Sequence, residues 1–239
     1  MEKQITALVL QQKDDRENNM VLSLLSENGV EDVIAKGIKK LGAKNKAACQ
    51  LFVLSEFSLA YPNERARGVV TIASVLKDYR LSQDLLAVAI MSFVAEMLSR
   101  YFRETDYYHE VLELALSLHN KAGYWFNLCW LIKGWISDSG IQPRVDGCYN
   151  CGNKMVVALS FEGGLVCEHC CHSYDLKCTK KQLQLFSYLF KASDQDKEKL
   201  AEWDYDWLLV DVLMKYYLHY LPAELKTWKF LGQLKNLEL

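Results

Sequence analysis

Two cysteine pairs constrain the fold of this chain more than any other feature of its sequence. Cys148 and Cys151 form one C-x-x-C motif, and Cys167 and Cys170 form a second one after fifteen intervening residues. Four thiolates at this spacing can surround one tetrahedral zinc ion, each sulfur at about 2.3 Å from the metal. A glycine pair at 163–164 lies between two short apolar runs and allows them to turn into a hairpin. The spacing and the turn together predict a zinc ribbon.

The same cysteines are also compatible with disulfides or with buried apolar packing. We expect no signal peptide, because the N-terminus lacks a basic segment that leads into an apolar one. Eight cysteines without such a signal indicate reduced thiols in the cytoplasm and favour a metal. Other side chains near the second pair can replace one ligand: His169, Cys171, His172 and Cys178. Four thiolates leave no open position for water, so we expect a structural zinc ion and no activated nucleophile.

The composition is that of a globular protein with a large core. Hydrophobic residues make up 51% of the 239 residues, a length that permits one large domain or two to three small ones. No apolar run approaches the roughly 18 residues that a bilayer-spanning helix needs, so we expect no membrane partner. The net charge of −2 does not by itself indicate nucleic acid, but residues 1–80 contain 12 Lys and Arg against 10 Asp and Glu. The small basic excess is therefore N-terminal.

Short apolar runs separated by turn residues fill the first 80 residues. Apolar and polar side chains alternate most clearly at Phe52–Leu59, as in a half-buried strand. The five runs are Ile5–Leu10, Met20–Leu25, Val30–Ala35, Cys49–Leu59 and Val69–Leu76. Five short strands predict a closed barrel of the OB-fold type, because closure removes exposed edges and leaves the loops free to bind nucleic acid.

The segment after the third run is strongly basic. Residues 36–46 contain five lysines and no acidic residue: Lys36, Lys39, Lys40, Lys44 and Lys46. Lysine neutralises backbone phosphates without reading bases, so the segment is a candidate phosphate-binding loop, which Arg65 and Arg67 can extend. The alternative is a solvated, mobile loop. The aromatic residues of this region are expected in the core or at its rim, which leaves few stacking partners for bases.

After Tyr79 the apolar period becomes helical. We expect Ser82 to cap the first of these helices. The predicted helices are 82–103, 107–119, 122–137, 179–192, 205–221 and a last one that starts at Pro222. Thr179 and Gln182 form a capping box, and residues 193–202 are expected to be a linker.

The predicted architecture is α+β. An N-terminal five-stranded OB-fold barrel is followed by an α-helical domain with an inserted four-cysteine zinc ribbon. The predicted boundaries are residues 1–80 for the barrel, 81–147 and 179–239 for the helical domain, and 148–178 for the ribbon.

The last helix has an apolar stripe whose members recur every three residues, at Leu225, Trp228, Leu231 and Leu234. Such a stripe most often packs on other helices. The alternative is a groove with lysines beside it that accepts an acidic peptide ending in an apolar residue. The candidate residues of this partner-peptide groove are Lys226, Trp228, Lys229 and Leu231.

The sequence contains no recognisable catalytic constellation. No phosphate-binding glycine-rich loop and no G-x-S-x-G elbow occurs, and the carboxylates are scattered. We therefore predict no catalytic residues. Two function classes remain, a DNA-binding protein that acts without chemistry and a zinc-stabilised protein-interaction adaptor without direct DNA binding.

Three stretches of the chain resemble the bacterial recombination mediator family RecO. Ala35–Lys40 is similar to the A-K-G-x-x-K/R segment of that family's barrel. The two C-x-x-C pairs, with the glycine pair at 163–164, look like its zinc motif, and Leu221–Leu231 resembles its C-terminal signature. The resemblance spans the whole chain, and the order of all three stretches is specific where the zinc motif alone is not.

The resemblance implies a DNA repair protein that binds single- and double-stranded DNA. It also implies partnership with RecR, contact with the acidic C-terminal tail of single-stranded DNA-binding protein (SSB), help in loading RecA onto SSB-coated strands, and annealing of complementary strands. Membership would make the lysine segment a DNA contact and would favour the C-terminal groove. It implies a cytoplasmic, nucleoid-associated location.

Overall fold

The computed structural model describes residues 2–63, 66–104, 107–221 and 224–237. The chain forms two compact units, Met1–Ala122 together with Leu225–Leu239, and Gly123–Glu224. The first unit thus contains the N-terminal strands, the helical residues up to 122 and the C-terminal helix, whereas the predicted barrel domain ends at residue 80. The predicted boundaries at 80, 147 and 178 stay a prediction.

Five strands form a closed barrel in the first unit. They are β1 (Glu2–Asp15), β2 (Asn19–Ser26), β3 (Gly29–Ala35), β4 (Val53–Ala60) and β5 (Val69–Asp78). The barrel closes in the order β1-β2-β3-β5-β4, and every pair is antiparallel except β3–β5. The predicted five-stranded N-terminal barrel is confirmed.

The length of β1 allows the barrel to close. Its first half pairs with β4 and its second half with β2, and Leu8 has a partner on both strands. The register with β2 shifts between Val9 and Gln11, which is the signature of a bulge. A bulge bends a strand and increases its twist, so one strand can pass from one neighbour to the other.

Alternate side chains of the strands fill the barrel. They are Ile5, Ala7, Val9, Leu22, Leu24, Val33, Ala35, Phe57, Leu59 and Val70. Ile38 and Cys49, which lie in the long connection between β3 and β4, enter the same core. That connection includes part of the predicted fourth strand: β4 starts at Val53, and Phe52 before it has a left-handed φ of 63°.

The described part of the chain contains seven α-helices and three further short strands. The helices are α1 (Leu85–Tyr101), α2 (Tyr108–His119), α3 (Tyr124–Asp138), α4 (Lys180–Lys191), α5 (Lys197–Ala201), α6 (Trp207–Tyr220) and α7 (Lys226–Leu237). The strands β6 (Ala158–Ser160), β7 (Gly164–Val166) and β8 (Leu176–Lys177) form a small sheet in the order β7-β6-β8. Of the helices described, none has both the length and the apolar character needed to cross a membrane.

The helix ends follow capping chemistry. The N-cap of α1 is Asp84, whose side chain accepts a hydrogen bond from the Ala87 amide at 3.1 Å; the predicted cap Ser82 lies in a 3₁₀ turn just before it. The capping box predicted for α4 is confirmed, with Gln182 N donating to Thr179 Oγ1 and Thr179 N donating to Gln182 Oε1. The predicted linker 193–202 contains α5, a helix of little more than one turn.

The apolar stripe of α7 packs on α1 within the first unit. The rings of Trp228 and Phe93 have centroids 5.2 Å apart, and Leu231 is completely buried. The amide and hydroxyl of Thr227 both donate to the Glu96 carboxylate, at 3.1 and 2.5 Å. Burial opposes ionisation of Glu96, but the bonds from Thr227 and the guanidinium of Arg100 outweigh it and lower the pKa of this carboxyl. Pro222, the predicted first residue of this helix, lies outside the described residues.

Several large aromatic side chains lie in the core of the second unit. Trp135 of α3, Phe186 of α4 and Tyr216 of α6 are almost completely buried. The Tyr216 hydroxyl donates to Ile141 O at 3.0 Å, and Ser187 Oγ donates to Val145 O at 3.0 Å. These two bonds tie the helices to the chain that leads into the first cysteine pair.

A close backbone approach joins the barrel to the residues after α1. Val30 N donates to Arg103 O at 2.7 Å, and the Arg103 guanidinium lies 3.3 Å from the Asp32 carboxylate. Gly29 has a φ of +89°, and a Cβ built on it would lie only 2.2 Å from Arg103 O. This position therefore requires glycine for two reasons, its backbone conformation and the space available.

We predict that Gly29→Ala destabilises the protein far more than Gly42→Ala. Both glycines have a positive φ, which costs about 1–2 kcal/mol for alanine, but no atom lies within 4 Å of a Cβ on Gly42. The clash with Arg103 O adds to that cost at Gly29 only. Urea unfolding of the two variants measures the difference, and equal midpoints would contradict the described approach of β3 to Arg103.

Candidate metal centre and nucleic-acid surface

A tight turn holds the first cysteine pair. Gly152 N donates to Cys148 O at 2.8 Å, and Cys148 N donates to Asn153 O at 2.7 Å. Just beyond Cys148, Tyr149 N donates to Leu165 O at 2.7 Å. The last bond joins the first pair to β7, the strand that leads into the second pair.

The second cysteine pair follows the predicted hairpin. β6 and β7 pair antiparallel, with Ser160 opposite Gly164, and Cys170 N donates to Cys167 O at 3.1 Å in a single 3₁₀ turn. Gly164 has a φ of +129°, and a Cβ on it would lie 2.2 Å from Arg144 O. Glycine at 164 therefore lets the chain before the first pair lie beside β7.

These backbone bonds bring four sulfur atoms together. The ligand atoms of Cys148, Cys151, Cys167 and Cys170 all lie within 4.8 Å of one another, and Cys151 Sγ is 3.6 Å from Cys167 Sγ. Four sulfurs at about 2.3 Å from one tetrahedral ion lie about 3.8 Å apart. The spacing fits a metal ion and is well beyond the roughly 2.0 Å of a disulfide bond. The group can hold a metal ion.

The pKa shifts of Cys148 and Cys170 also favour a cation. Burial opposes ionisation of Cys148, but backbone N–H groups of Cys167, Cys151 and Asn150 outweigh it and lower the pKa of this thiol to about 6. Hydrogen bonding with Cys151, followed by burial, raises the pKa of Cys170 to about 12. Close thiols thus resist losing all their protons together, and a bound dication removes that obstacle because it stabilises each thiolate.

The spare ligands do not join the four-sulfur group. Among the residues that the structure describes, those four cysteines form the one group of three or more donors close enough for a metal. The thiols of Cys171 and Cys178 lie near backbone carbonyl oxygens, at 3.5 and 3.4 Å, and the His172 ring stacks on Tyr174. His169 lies in the 3₁₀ turn between the last two ligands.

The backbone of the lysine loop, residues 36–46, is attached to the barrel. Gly37 N donates to Asn19 Oδ1 at 2.9 Å and Lys39 N donates to Asn18 O at 3.2 Å, which fixes the start of the loop to the β1–β2 turn. Asn45 fixes its other end to β5: its Nδ2 donates to Thr71 O and its Oδ1 accepts from Ala73 N, both at 3.2 Å.

Side chains of the loop divide into an inner and an outer set. Ile38 is buried in the barrel core, and Ala43 packs against that core. The Lys39 ammonium lies 2.7 Å from the Asp14 carboxylate. Lys36, Lys40, Lys44 and Lys46 are exposed, as is Lys39. A cavity of about 550 Å³ between the loop and β5 is lined by Lys36, Lys44 and the exposed Ile72.

The two arginines predicted to extend the loop are placed differently. Arg65 lies outside the described residues. Arg67 is exposed and precedes Gly68, whose carbonyl accepts from Ile34 N at 2.8 Å where β3 meets β5. In the parallel register of Ile34 with Val69, Arg67 lies two residues before that point and Lys36 two residues after it. Arg67 and Lys36 are therefore separated along the strand direction by roughly four residues, at about 3.3 Å per residue.

The predicted partner groove on α7 contains both exposed and buried side chains. Lys226 and Lys229 are exposed, and Phe230, which follows Lys229, is 46% exposed. Trp228 is half-buried against α1, and Leu231 has no exposed surface. An incoming peptide would thus meet the lysines and the open part of Trp228, and the groove stays a prediction.

Asn45 is the site residue that sequence reasoning missed. Its amide satisfies one carbonyl and one N–H on an edge of β5, as a neighbouring strand would. The only sequence signal was a lone asparagine within a run of lysines. Asn side chains commonly bond to backbone groups in turns, so the residue type agrees with the role.

Comparison with known proteins gives a consistent result along the chain. Residues 1–79 match the family model described as Recombination protein O N terminal, and residues 82–229 match Recombination protein O C terminal. Three similar proteins are each named DNA repair protein RecO. The one from Desulforamulus reducens is 25% identical and covers 96% of this chain and 94% of its own length; that from Bacillus pumilus is 24% identical, with 97% and 94%. The third, from Exiguobacterium sibiricum, is 26% identical and covers 92% of each chain.

We predict that the double variant Cys148→Ser, Cys151→Ser loses stoichiometric metal, because two of the four thiolates are removed. The matched control is Cys171→Ser, which changes the thiol next to Cys170 outside the four-sulfur group. Metal analysis of the purified proteins by inductively coupled plasma mass spectrometry distinguishes them. Full retention in the double variant, or loss in the control, would show that the ligand set is wrong.

Proposed function

This chain belongs to the recombination protein O family, and from that premise we propose that it binds DNA through the lysine loop of its barrel. Family membership gives the coarser role, a recombination mediator in DNA repair. The finer steps proposed here are binding of single- and double-stranded DNA, RecA loading on SSB-coated strands together with RecR, and annealing of complementary strands. We assign no catalytic step to the protein.

The observation that carries the proposal is the anchored loop with its outward lysines. Lys36, Lys40, Lys44 and Lys46 are exposed on a backbone that is hydrogen-bonded at both ends. Little backbone entropy remains to be lost when these ammonium groups meet phosphates. Contacts of this kind hold a strand by its backbone and leave its bases free. Free bases are what a protein that anneals strands has to present.

We propose that the metal is zinc and that its role is structural. Four thiolates in a closed tetrahedral set are the ligands of structural zinc, and they leave no position for a substrate or a reactive water. When bound, the ion supplies folding free energy, on the order of 10 kcal/mol in small zinc modules. The small core of the ribbon supports this role, since it consists largely of Cys148, Ala158, Val166 and Cys167.

We further propose that α7 contacts the acidic C-terminal tail of SSB. Lys226 and Lys229 would attract the carboxylates of the tail, and Trp228 would contact its apolar end, while Leu231 supports the helix from below. Together with RecR, this contact would hold the protein at SSB-coated strands. The effective concentration of this chain at the strand would then be high, which favours transfer of the strand from SSB to this chain. RecA would be loaded on the strand from there.

We expect Lys40→Glu and Lys44→Glu, separately and together, to weaken binding of a short oligothymidylate and to flatten its salt dependence. If four to six phosphates are neutralised, log affinity falls with log salt at a slope of about −3 to −4, and each lost lysine reduces that slope by about 0.7. Electrophoretic binding at several salt concentrations measures both effects.

The matched control is Lys121→Glu, which makes the same change in net charge as each single loop variant, at an exposed lysine beside Asp84 and outside the loop. An unchanged slope in the loop variants would refute the DNA site. No DNA binding by the parent protein at low salt would leave the zinc-stabilised protein-interaction adaptor as the function.

Annealing is tested with complementary oligonucleotides coated by the cognate SSB. We expect the protein to accelerate their pairing, and the Lys40→Glu, Lys44→Glu variant to do so less, because fewer phosphates are neutralised as the strands meet. Quenching between dye-labelled strands follows the reaction. The annealing proposal would be abandoned if the parent protein gave the uncatalysed rate.

The α7 contact is tested with a fluorescent peptide of the SSB tail. We expect Lys226→Glu and Lys229→Glu each to weaken binding about threefold, the usual scale for an exposed ion pair. Lys121→Glu again serves as the charge-matched control. Equal anisotropy curves for all variants would show that the tail binds elsewhere.

A further inference from the structure

A second basic surface lies on α4 in the second unit. The exposed residues of this helix are Lys180, Lys181, Gln184, Tyr188 and Lys191. Its other face, with Leu183, Phe186 and Leu189, is buried. No carboxylate occurs anywhere in the helix. The open side of α4 is therefore a line of lysines with one aromatic ring between them.

A second exposed ring lies against the first. Tyr188 is 49% exposed and Trp203, just after α5, is 41% exposed; their ring centroids are 4.9 Å apart at an angle of 86°. Trp203 N donates to Leu200 O at 3.1 Å, which fixes the position of its backbone. Large aromatic side chains dominate cores and interfaces, so two half-exposed rings in contact indicate a surface that binds something flat or apolar.

Open cavities adjoin these rings on several sides. Three cavities, of about 700, 410 and 320 Å³, include Tyr188 in their walls, and the two smaller ones include Trp203. The walls of the three together contain five lysines and three aspartates: Lys154, Lys180, Lys181, Lys191, Lys199, Asp146, Asp196 and Asp204. Lysines therefore outnumber aspartates in these cavity walls, while the exposed Glu202 lies next to Trp203 outside them.

Two of these lysines have exposed carboxylate partners. Lys181 lies 2.6 Å from Asp204, and Lys191 lies 3.2 Å from Asp146. Exposed pairs of this kind contribute little to stability. A phosphate can therefore replace the aspartate at a small cost, as ordinary counterions are displaced when nucleic acid binds.

We propose that this face of α4 binds single-stranded nucleic acid, with bases stacked on Tyr188 and Trp203 and phosphates against the lysines. The distance along the helix axis from Lys180 to Lys191 is about 16 Å at 1.5 Å per residue, which matches about five phosphate-to-phosphate steps of a stacked strand at 3.4 Å each. Cations spaced along a line with flat rings between them fit a polymer whose charges and bases alternate.

This inference rests on the proposed function, because it supplies the second strand that annealing requires. The lysine loop has few stacking aromatics and would hold one strand by its phosphates. The α4 face has two exposed rings and would also stack on the faces of the other strand's bases, which leaves their pairing edges free. The two surfaces belong to different compact units.

The test uses full-length protein that carries Lys40→Glu and Lys44→Glu, so that the loop does not mask a loss at α4. Tyr188→Ala and Trp203→Ala should each weaken oligothymidylate binding about tenfold, the scale of one lost base stack. Tyr188→Phe keeps the ring and should bind as its parent does. Leu208→Ala truncates a side chain of the same unit that is 51% exposed and should also have no effect. Photocrosslinking of the unsubstituted protein to a 5-iododeoxyuridine oligonucleotide should modify Tyr188 or Trp203.

Unchanged affinity in both alanine variants, with no crosslink at either ring, would overturn the inference. If the loop substitutions still weaken binding in that case, the barrel site stands and only the α4 site fails. If the loop substitutions have no effect but Tyr188→Ala abolishes binding, the barrel site fails and the α4 site holds. Binding of a glutamate-rich peptide that is lost in Tyr188→Ala, with oligothymidylate unaffected, would assign the face to acidic protein partners and overturn the inference.

Discussion

The barrel closes where β3 meets β5, and these two strands share less register than any other neighbouring pair in it. In the described chain, β3 and β5 are in register at Ile34 and Val69, and the connection between β3 and β4 adds further contacts to this side of the barrel. Ile38 and Cys49 of that connection enter the core, and the Asn45 amide bonds to β5. The lysine loop is therefore part of the barrel. The contacts that attach it to the barrel also fix the backbone that bears the lysines.

The ribbon of the second unit has a different feature, four cysteines that can hold a metal ion. The ribbon has three short strands and a small core, which is too little apolar burial to order such a segment in water. Four sulfurs within 4.8 Å of one another supply the missing stabilisation when an ion is present. Helix α4, which follows the ribbon, carries the exposed residues Lys180, Lys181, Tyr188 and Lys191. In the first unit the loop contacts fix the backbone that bears the lysines, and in the second unit the four cysteines that can hold an ion lie in the ribbon that precedes α4.

The sequence predicted the structural features that depend on a local pattern of residues. Cysteine spacing and the glycine pair predicted the ribbon, alternation predicted the barrel, and the capping box at Thr179 is present. The sequence did not predict the structural features that depend on contacts between residues far apart in the chain. The bonds of Asn45 to β5 and the approach of Gly29 to Arg103 join segments far apart in the chain. The pairing of Tyr188 with Trp203 was missed for the same reason, since the apolar pattern of α4 does not show which ring remains exposed.

The central claim is that the anchored lysine loop is where DNA meets the barrel, and hydrogen–deuterium exchange of the full chain with and without saturating oligothymidylate tests it most directly. The amides of Lys39, Ala43 and Lys46 already bond to backbone or turn groups in the free protein. Bound phosphates would stabilise the loop further, so the account predicts slower exchange in peptides that cover residues 36–46. Exchange that stays the same in those peptides while DNA is bound would contradict it.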